Sequence, residues 1–332
     1  MSSLLPSAIY GPNRADDPIA PRRSVDIRQL PAMTVEMKTD AVPSMIVGLP
    51  LGIPRSALFA AGRSPANTNR RRVVPIAPYR GAKLIQTGPG LGQHHALAWQ
   101  AVIHWASEAG IEDGRPFTVA ADDLLRVLGG RGGDSAQRCR MGRWLAELAA
   151  TRIDYRTDMH NFDGPLLGQA TTDTRGRPVL RLPTDWKALV HIEISRNDLG
   201  RKCGLGLHSL ALWLHDYITT HLRPPPLSVD TLRQWSGSGQ DLPHFRHDLR
   251  AAMQRLAPKV VNTDPGSPEL CKPAPGALVL DWHIDRRDRL HIEKSHTSVH
   301  LSEAGAKTTA ASSTKQEMEV QRARMQRAKV AL

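Results

Sequence analysis

The stretch that decides the fold is VDTLRQWSGSGQDLPHFRHDLRAAMQRL, residues 229–256. Ser228 stands immediately before it, and serine is a favoured N-cap residue because its hydroxyl accepts a hydrogen bond from the first helical turn. A short helix is therefore predicted over residues 229–235. Gly237 and Gly239 interrupt it, since glycine adopts turn conformations that other residues avoid. A second helix is predicted over residues 243–256, which completes a helix-turn-helix.

The second of these helices has two distinct faces. Its apolar residues recur with helical spacing, so they are expected to form one buried stripe. A helix-turn-helix places its second helix in the major groove of DNA, where Arg pairs with guanine and Gln with adenine. An ordinary amphipathic helix with a solvated basic face is the alternative. The apolar stripe consists of Phe245, Leu249, Ala252, Met253 and Leu256. The predicted DNA-binding residues are Arg246, His247, Arg250 and Gln254.

Two strands predicted after this helix would form a β-hairpin, the wing of a winged helix. They cover residues 278–284 and 290–293. Arg286, Arg287 and Arg289 fall at the hairpin tip, where basic side chains can contact DNA phosphates. Exposed charge without a nucleic-acid partner accounts for this cluster nearly as well. The three arginines are candidate contacts to the DNA backbone.

The first half of the chain carries a second copy of this order. Residues 123–129 (DLLRVLG) parallel residues 231–237 (TLRQWSG), and each segment precedes a glycine-containing turn and a basic helix. The first-half helix is predicted over residues 135–151, and a strand at 153–155 is expected to return at 179–182. The basic residues of this helix are candidate DNA contacts or part of a dimer surface. They are Arg138, Arg140 and Arg143.

The predicted fold class is α+β, with two tandem winged-helix (helix-turn-helix) domains between disordered N- and C-terminal tails. Residues 1–52 are rich in Pro, Ser and Arg, which predicts a disordered basic arm. Residues 53–190 form the first predicted winged-helix domain. Residues 191–295 form the second, which is the main DNA-binding domain. Residues 296–332 are predicted to be a linker and a basic tail.

The charge of the chain favours a polyanionic partner. Its 332 residues include 44 Lys and Arg against 32 Asp and Glu, a formal net charge of +12. Phosphate neutralisation releases counterions, so a basic protein of this kind fits double-stranded DNA. A soluble basic protein with no such partner is the alternative. No apolar stretch approaches the roughly 20 residues that span a bilayer, and a cytoplasmic location is expected.

Enzymatic chemistry is not indicated. The glycine-rich segments 88–92 and 129–133 lack the Lys-Ser/Thr ending of a phosphate-binding P-loop. A DNA-nicking enzyme would be expected to carry a His-x-His metal motif, and the chain has none. Its three cysteines are widely separated, which fits neither a disulfide framework nor a zinc site. We therefore predict no catalytic residues, no metal and no cofactor.

The order of motifs resembles the TrfA family of plasmid replication initiators. The resemblance covers roughly residues 53–295. In the first half it rests on residues 53–59 (IPRSALF), 86–91 (QTGPGL), Phe117, Thr118, Leu124, Leu128 and Gly129. In the second half it rests on residues 210–217 (LALWLHDY), Leu232, Gly237, Ser238, Phe245, Arg246 and Leu249.

This resemblance implies tandem winged helices that bind repeated origin sequences (iterons) and help to open an AT-rich region. It also implies recruitment of the host helicase and sliding clamp, and a monomer–dimer equilibrium in which the monomer binds the origin. The nearest counterpart of the family's clamp-binding peptide is residues 29–33 (QLPAM), which departs from the Gln-Leu-Ser-Leu-Phe pattern. A winged-helix transcriptional repressor that binds an operator is the alternative function.

Overall fold

The computed structural model describes residues 33–35, 46–62, 71–111, 114–129, 135–158, 161–186, 194–257, 259–260, 272–273 and 277–295. Within these residues no helix is both long enough and apolar enough to cross a membrane. Helices and strands alternate along the chain, so the fold is α+β. The helices are α1 (Gln93–Glu108), α2 (Ala121–Val127), α3 (Ser135–Ala149), α4 (Leu199–Gly204), α5 (Ser209–Thr219), α6 (Val229–Trp235) and α7 (Leu242–Leu256).

The strands form several small sheets. They are β1 (Met33–Val35), β2 (Ile46–Pro50), β3 (Phe59–Ala60), β4 (Arg72–Val73), β5 (Lys83–Thr87), β6 (Leu91–Gly92), β7 (Pro116–Val119), β8 (Arg152–Arg156), β9 (Asn161–Pro165), β10 (Gln169–Thr172), β11 (Pro178–Arg181), β12 (Ile194–Asp198), β13 (Leu227–Ser228), β14 (Lys259–Val260), β15 (Lys272–Pro273), β16 (Val279–Ile284) and β17 (Arg289–Lys294). The sheets are β1–β7–β11–β10, β2–β12, β3–β6, β4–β5–β8–β9, β13–β17–β16 and β14–β15.

The two halves of the chain share one element order. In the first half α1 is followed by β7, α2, α3, β10 and β11, and in the second half α5 is followed by β13, α6, α7, β16 and β17. In each half the strand after the first helix pairs with the last strand, which in turn pairs with the strand before it. A short strand pair separates the third helix from the hairpin in both halves: β8 and β9 in the first, β14 and β15 in the second.

One predicted strand pairing is wrong. The sequence predicts that the strand at 153–155 pairs with a return strand at 179–182, but β8 pairs with β5 and β9, while β11 pairs with β10 and β7. β9 contains Gly164 and Pro165, residue types that are depleted in strands. The local sequence therefore indicates a turn where the structure has a strand.

The ordered fold begins earlier than the sequence predicts. β1 pairs in parallel with β7, and β2 pairs over its whole length with β12. Val47 and Leu49 are two residues apart, so their side chains lie on the same face of β2. Both are buried. The predicted disordered arm is therefore wrong for residues 33–35 and 46–52. The rest of that arm, residues 1–32 and 36–45, and the predicted tail, residues 296–332, lie outside the described residues.

Residues 46–62, which we name the brace, connect the two halves. Besides the β2–β12 pairing, Arg55 donates hydrogen bonds from Nε to Thr220 Oγ1 at 2.9 Å and from its NH2 group to Thr220 O at 2.6 Å. Trp213 Nε1 donates to Ser56 O at 2.9 Å. Thr220 follows the last turn of α5, where backbone carbonyls lack helical partners and a cation is favourable. The brace precedes the first half in the sequence, and it forms hydrogen bonds with polar groups of the second half.

A buried polar network also crosses between the halves. Lys202 on α4 donates from Nζ to Asp216 Oδ2 on α5 at 2.7 Å and to Gln100 Oε1 on α1 at 2.8 Å. Gln100 Nε2 donates to the same Asp216 oxygen at 3.1 Å. Burial by itself would raise the pKa of Asp216, but Lys202 and a hydrogen bond from His215 hold it below its usual value. The carboxylate is therefore charged and paired inside a core that both halves share.

Candidate nucleic-acid interface

The helix α7 has the two faces that the sequence predicts. Asp241 caps it by accepting a hydrogen bond from His244 N at 3.2 Å, and Pro243 lies in its first turn, where proline needs no hydrogen-bond partner for its nitrogen. The predicted apolar stripe is confirmed, because all five of its residues are buried. They are Phe245, Leu249, Ala252, Met253 and Leu256.

The turn between α6 and α7 is packed against the brace. Gly237 has φ +68°, and a Cβ at this position would lie 2.9 Å from the Cβ of Ala57 and 3.1 Å from that of Ala60. Ala61 N donates to Ser236 O at 2.8 Å. Only glycine fits this turn without strain. The orientation of α7 is therefore fixed relative to the brace.

Three of the four predicted residues on α7 are available to a ligand. The side chains of His247, Arg250 and Gln254 are exposed. His247 Nδ1 lies 3.4 Å from Asp248 Oδ1, whereas nothing in the described part of the chain pairs with the side chains of Arg250 or Gln254. Arg250 and Gln254 are one helical turn apart, so the two side chains project from the same side.

Arg246 is placed differently. Its guanidinium makes two hydrogen bonds to Asp288, Nε to Oδ1 at 3.0 Å and NH2 to Oδ2 at 2.8 Å. Asp288 lies in the turn between β16 and β17, and its carbonyl accepts a hydrogen bond from Val229 N at 2.9 Å at the start of α6. The planar fork of Arg246 is thus occupied by a carboxylate. Arg246 fixes the hairpin tip to α7 in this structure.

The hairpin tip brings the three predicted arginines together but gives them different roles. Arg286 and Arg287 are exposed, and no partner of their side chains is found among the described residues. Arg289 is half-buried and donates from Nε to Asp285 Oδ2 at 3.2 Å. Hydrogen bonds from the backbone of Arg289, from His291 and from the backbone of Arg287 hold the pKa of Asp285 well below its usual value. The tip is a rigid turn that presents two cations to solvent.

The first-half helix α3 also buries one stripe, made of Met141, Leu145 and Leu148. Arg138 pairs with Asp122 at 3.0 Å in an exposed ion pair. The predicted contacts Arg140 and Arg143 are exposed, and neither side chain has a partner in the part of the structure that is described.

The helices α3 and α7 bury corresponding positions but differ on their outer faces. Gly129 and Gly237 both have positive φ. The residues 12, 16 and 19 positions later are buried in both halves, so the two helices have the same phase. The residues 10, 13 and 17 positions later are small in α3 and long and polar in α7. They are Cys139, Gly142 and Ala146 in α3, against His247, Arg250 and Gln254 in α7.

One basic hairpin tip is missing from the sequence candidates. Residues 173–177 (DTRGR) join β10 to β11, at the place in the first half where residues 285–289 (DRRDR) join the hairpin of the second. The shared pattern Asp-x-Arg-x-Arg is the sequence signal that could have found it.

The described residues contain no group of three or more His, Cys, Asp or Glu side chains that could hold a metal ion. The chain matches no protein-family model and no curated protein sequence. It is similar to two crystal structures of domains 2 and 3 of RctB. The first, of a selenomethionine derivative, has 12% sequence identity and a TM-score of 0.46, and the similarity covers 74% of this chain and 97% of that chain. The second has 12% identity and a TM-score of 0.45, over 75% of this chain and 98% of that chain.

Proposed function

We propose that this protein is a plasmid replication initiator that binds repeated origin sequences through two tandem winged-helix domains. The observation that carries the DNA-binding part is the outer face of α7. Arg250 and Gln254 project from one side of a helix whose opposite stripe is buried, directly after a tight turn and beside a basic hairpin. This is the arrangement in which a helix enters the major groove. The initiator role rests on the resemblance of residues 53–295 to the TrfA family.

In this proposal each part of the second half has a distinct task. Arg250 forms two hydrogen bonds to a guanine edge and Gln254 two to an adenine edge. Arg286 and Arg287 at the hairpin tip contact phosphates, which fixes the register of the helix on the duplex. Arg246 positions the tip through Asp288. The protein performs no catalytic chemistry of its own.

The remaining steps of initiation are further parts of the proposal. The DNA-bound monomer, in equilibrium with a dimer, promotes opening of an AT-rich region in the cytoplasm and recruits host replication proteins, the helicase and the sliding clamp. The brace and the buried Lys202 network support this proposal, because they hold the two halves in one arrangement. A fixed arrangement makes the spacing between the two DNA contacts a property of the fold.

The test is a binding titration of the purified full chain on short DNA fragments from around its own gene, with an unrelated fragment as the control. We expect selective binding to a fragment that carries direct repeats, with an affinity that falls steeply as salt rises. Selective binding to a single palindrome over the promoter would favour the repressor instead. Equal binding to every fragment would contradict sequence-specific recognition.

A second assay tests the absence of catalysis. The protein is incubated with supercoiled origin DNA and Mg²⁺, and the products are examined for new 5′ ends. We expect the DNA to remain uncut, because binding and opening require no broken phosphodiester bond. A protein-dependent nick at a defined position would contradict the proposal and indicate a nicking enzyme.

A further inference from the structure

The hairpin tip of the first half is closed by the pair Thr172–Pro178. Asp173 accepts hydrogen bonds from the backbone N–H groups of Arg175 and Arg177 at 2.9 and 2.8 Å, and from Arg177 Nε at 2.8 Å. Asp173 N donates to Arg177 O at 2.9 Å, and the residue between the two arginines has φ +76°. The carboxylate of Asp173 thus holds the whole turn.

The hairpin tip of the second half has the same hydrogen bonds. Asp285 accepts from the backbone N–H groups of Arg287 and Arg289, both at 2.9 Å, and from Arg289 Nε at 3.2 Å. Asp285 N donates to Arg289 O at 2.9 Å, and Asp288 has φ +57°. Each turn therefore uses its first residue to bind the third and the fifth.

This shared geometry assigns different tasks to the two arginines of each tip. The fifth residue, Arg177 or Arg289, is bound to the aspartate and rigidifies the turn. The third residue, Arg175 or Arg287, is exposed, and its side chain meets no partner within the described chain. A cation held on a rigid turn loses less conformational freedom on binding than one on a flexible loop. Arg175 is therefore placed for an anionic ligand in the same way as Arg287.

The surface beside the first tip is open. A groove separates the tip from α3, and a Cβ at Gly142 or at Gly176 would meet no atom within 4 Å. In the second half the equivalent space holds the Arg246–Asp288 pair. Among the described residues that line the groove, the charged side chain is Arg138, which pairs with Asp122 outside the lining. The lining includes Arg138, Met141, Gly142, Thr171, Thr172 and Gly176.

We infer that the first-half tip, residues 173–177, is a second phosphate-binding element of the DNA interface, with Arg175 as its contact to a phosphodiester. This inference rests on the proposed DNA-binding function and adds to it a contact that reads no bases. The helix beside it carries Cys139, Gly142 and Ala146 where α7 carries its long polar residues. The first half therefore contributes charge and position, and the second half contributes sequence recognition.

The test measures how the DNA affinity of the full chain depends on salt. Each phosphate contact contributes about −0.9 to the slope of log Kobs against log salt on duplex DNA. Arg175→Ala should therefore make the slope shallower by about 0.9, on the cognate and the unrelated fragment alike. Arg175→Lys should restore most of it. Thr174→Arg, which copies Arg286 of the second tip, should make the slope steeper.

Thr174→Ala is the matched control, because it changes the same exposed turn without changing its charge. Arg287→Ala is the positive control in the second tip. The inference is wrong if Arg287→Ala makes the slope shallower while Arg175→Ala and Thr174→Arg both leave it at the wild-type value. The proposed function would survive that result. Failure of the wild type to bind any fragment selectively would instead remove the proposed function and this inference with it.

Discussion

The helices α3 and α7 each run for 15 residues, and both follow a turn that contains a glycine with positive φ. Buried residues of the two helices lie the same number of positions after that glycine in the sequence. Their outer faces do not correspond, since Gly142 stands where α7 has Arg250 and Ala146 stands where it has Gln254. The packing of a three-helix unit constrains only the buried stripe. The outer face is free to change, and it is there that the two halves differ in sequence.

The contact between the third helix and the hairpin tip also differs between the two halves. In the second half Arg246 and Asp288 join α7 to its tip by two hydrogen bonds. In the first half Gly142 and Gly176 leave the corresponding groove open. Under the proposed function, α7 must hold its register against the bases, which favours a fixed tip. A first half that contacts only phosphates, as we infer, would not need this constraint.

The largest expected effect comes from breaking the network that holds the two halves together. Lys202→Ala removes a fully buried cation and leaves the buried Asp216 carboxylate without its lysine partner, with the neutral donor Gln100 and His215 beside it. Such a change costs about 3–5 kcal/mol of unfolding free energy. Urea unfolding followed by tryptophan fluorescence measures it, since Trp99 and Trp213 are buried in the shared core.

Arg201→Ala on the same helix is the control for Lys202→Ala. Arg201 lies 4.0 Å from Asp198 in a partly exposed ion pair, so its loss should cost less than about 1 kcal/mol. Equal losses for the two variants would show that the halves do not depend on the buried pair. Two separate transitions in the wild type would show that each half unfolds by itself.

Local sequence patterns predict the parts of this molecule that local interactions determine. The stripe of α7 follows from helical spacing, and the helix α6 follows from Ser228, whose Oγ accepts a hydrogen bond from Thr231 N at 3.0 Å. The repeated segments 123–129 and 231–237 have the same C-terminal hydrogen bonds in both halves. These features need no knowledge of distant residues.

Long-range contacts account for what the sequence does not predict. β2 is a short strand that gains its stability from β12, about 150 residues later. Lys202 is 102 residues from Gln100, and Arg246 is 42 residues from Asp288. No periodicity relates such residues, so a basic helix face gives no sign that one of its arginines is already paired.

The next effect in size concerns base recognition by α7. Arg250→Ala should weaken binding to the cognate site by about 1–3 kcal/mol and relax the preference at one base position. Arg250→Lys is the matched control, since it keeps the charge but loses the planar fork that binds guanine. It should retain binding to unrelated DNA and lose the preference. Competition against a set of single-base variants of the site measures both quantities, and an unchanged preference in both variants would remove Arg250 from the recognition surface.

The smallest expected effect tests the corresponding position in α3. Gly142 lies in the middle of this helix, its φ is not positive, and a Cβ there would meet no atom within 4 Å. Gly142→Ala should therefore stabilise the protein by about 0.5–1 kcal/mol, because alanine loses less conformational entropy than glycine in a helix. Gly237→Ala is the contrasting control, since its positive φ and the nearby Ala57 Cβ make any side chain unfavourable. The measured quantities are the urea midpoint and the affinity for the cognate fragment, which Gly142→Ala should leave unchanged if Arg175 is the contact to DNA. A more stable variant that binds DNA more weakly would mean that the DNA backbone approaches α3 at Gly142, so that the small outer face of α3 is itself part of the interface.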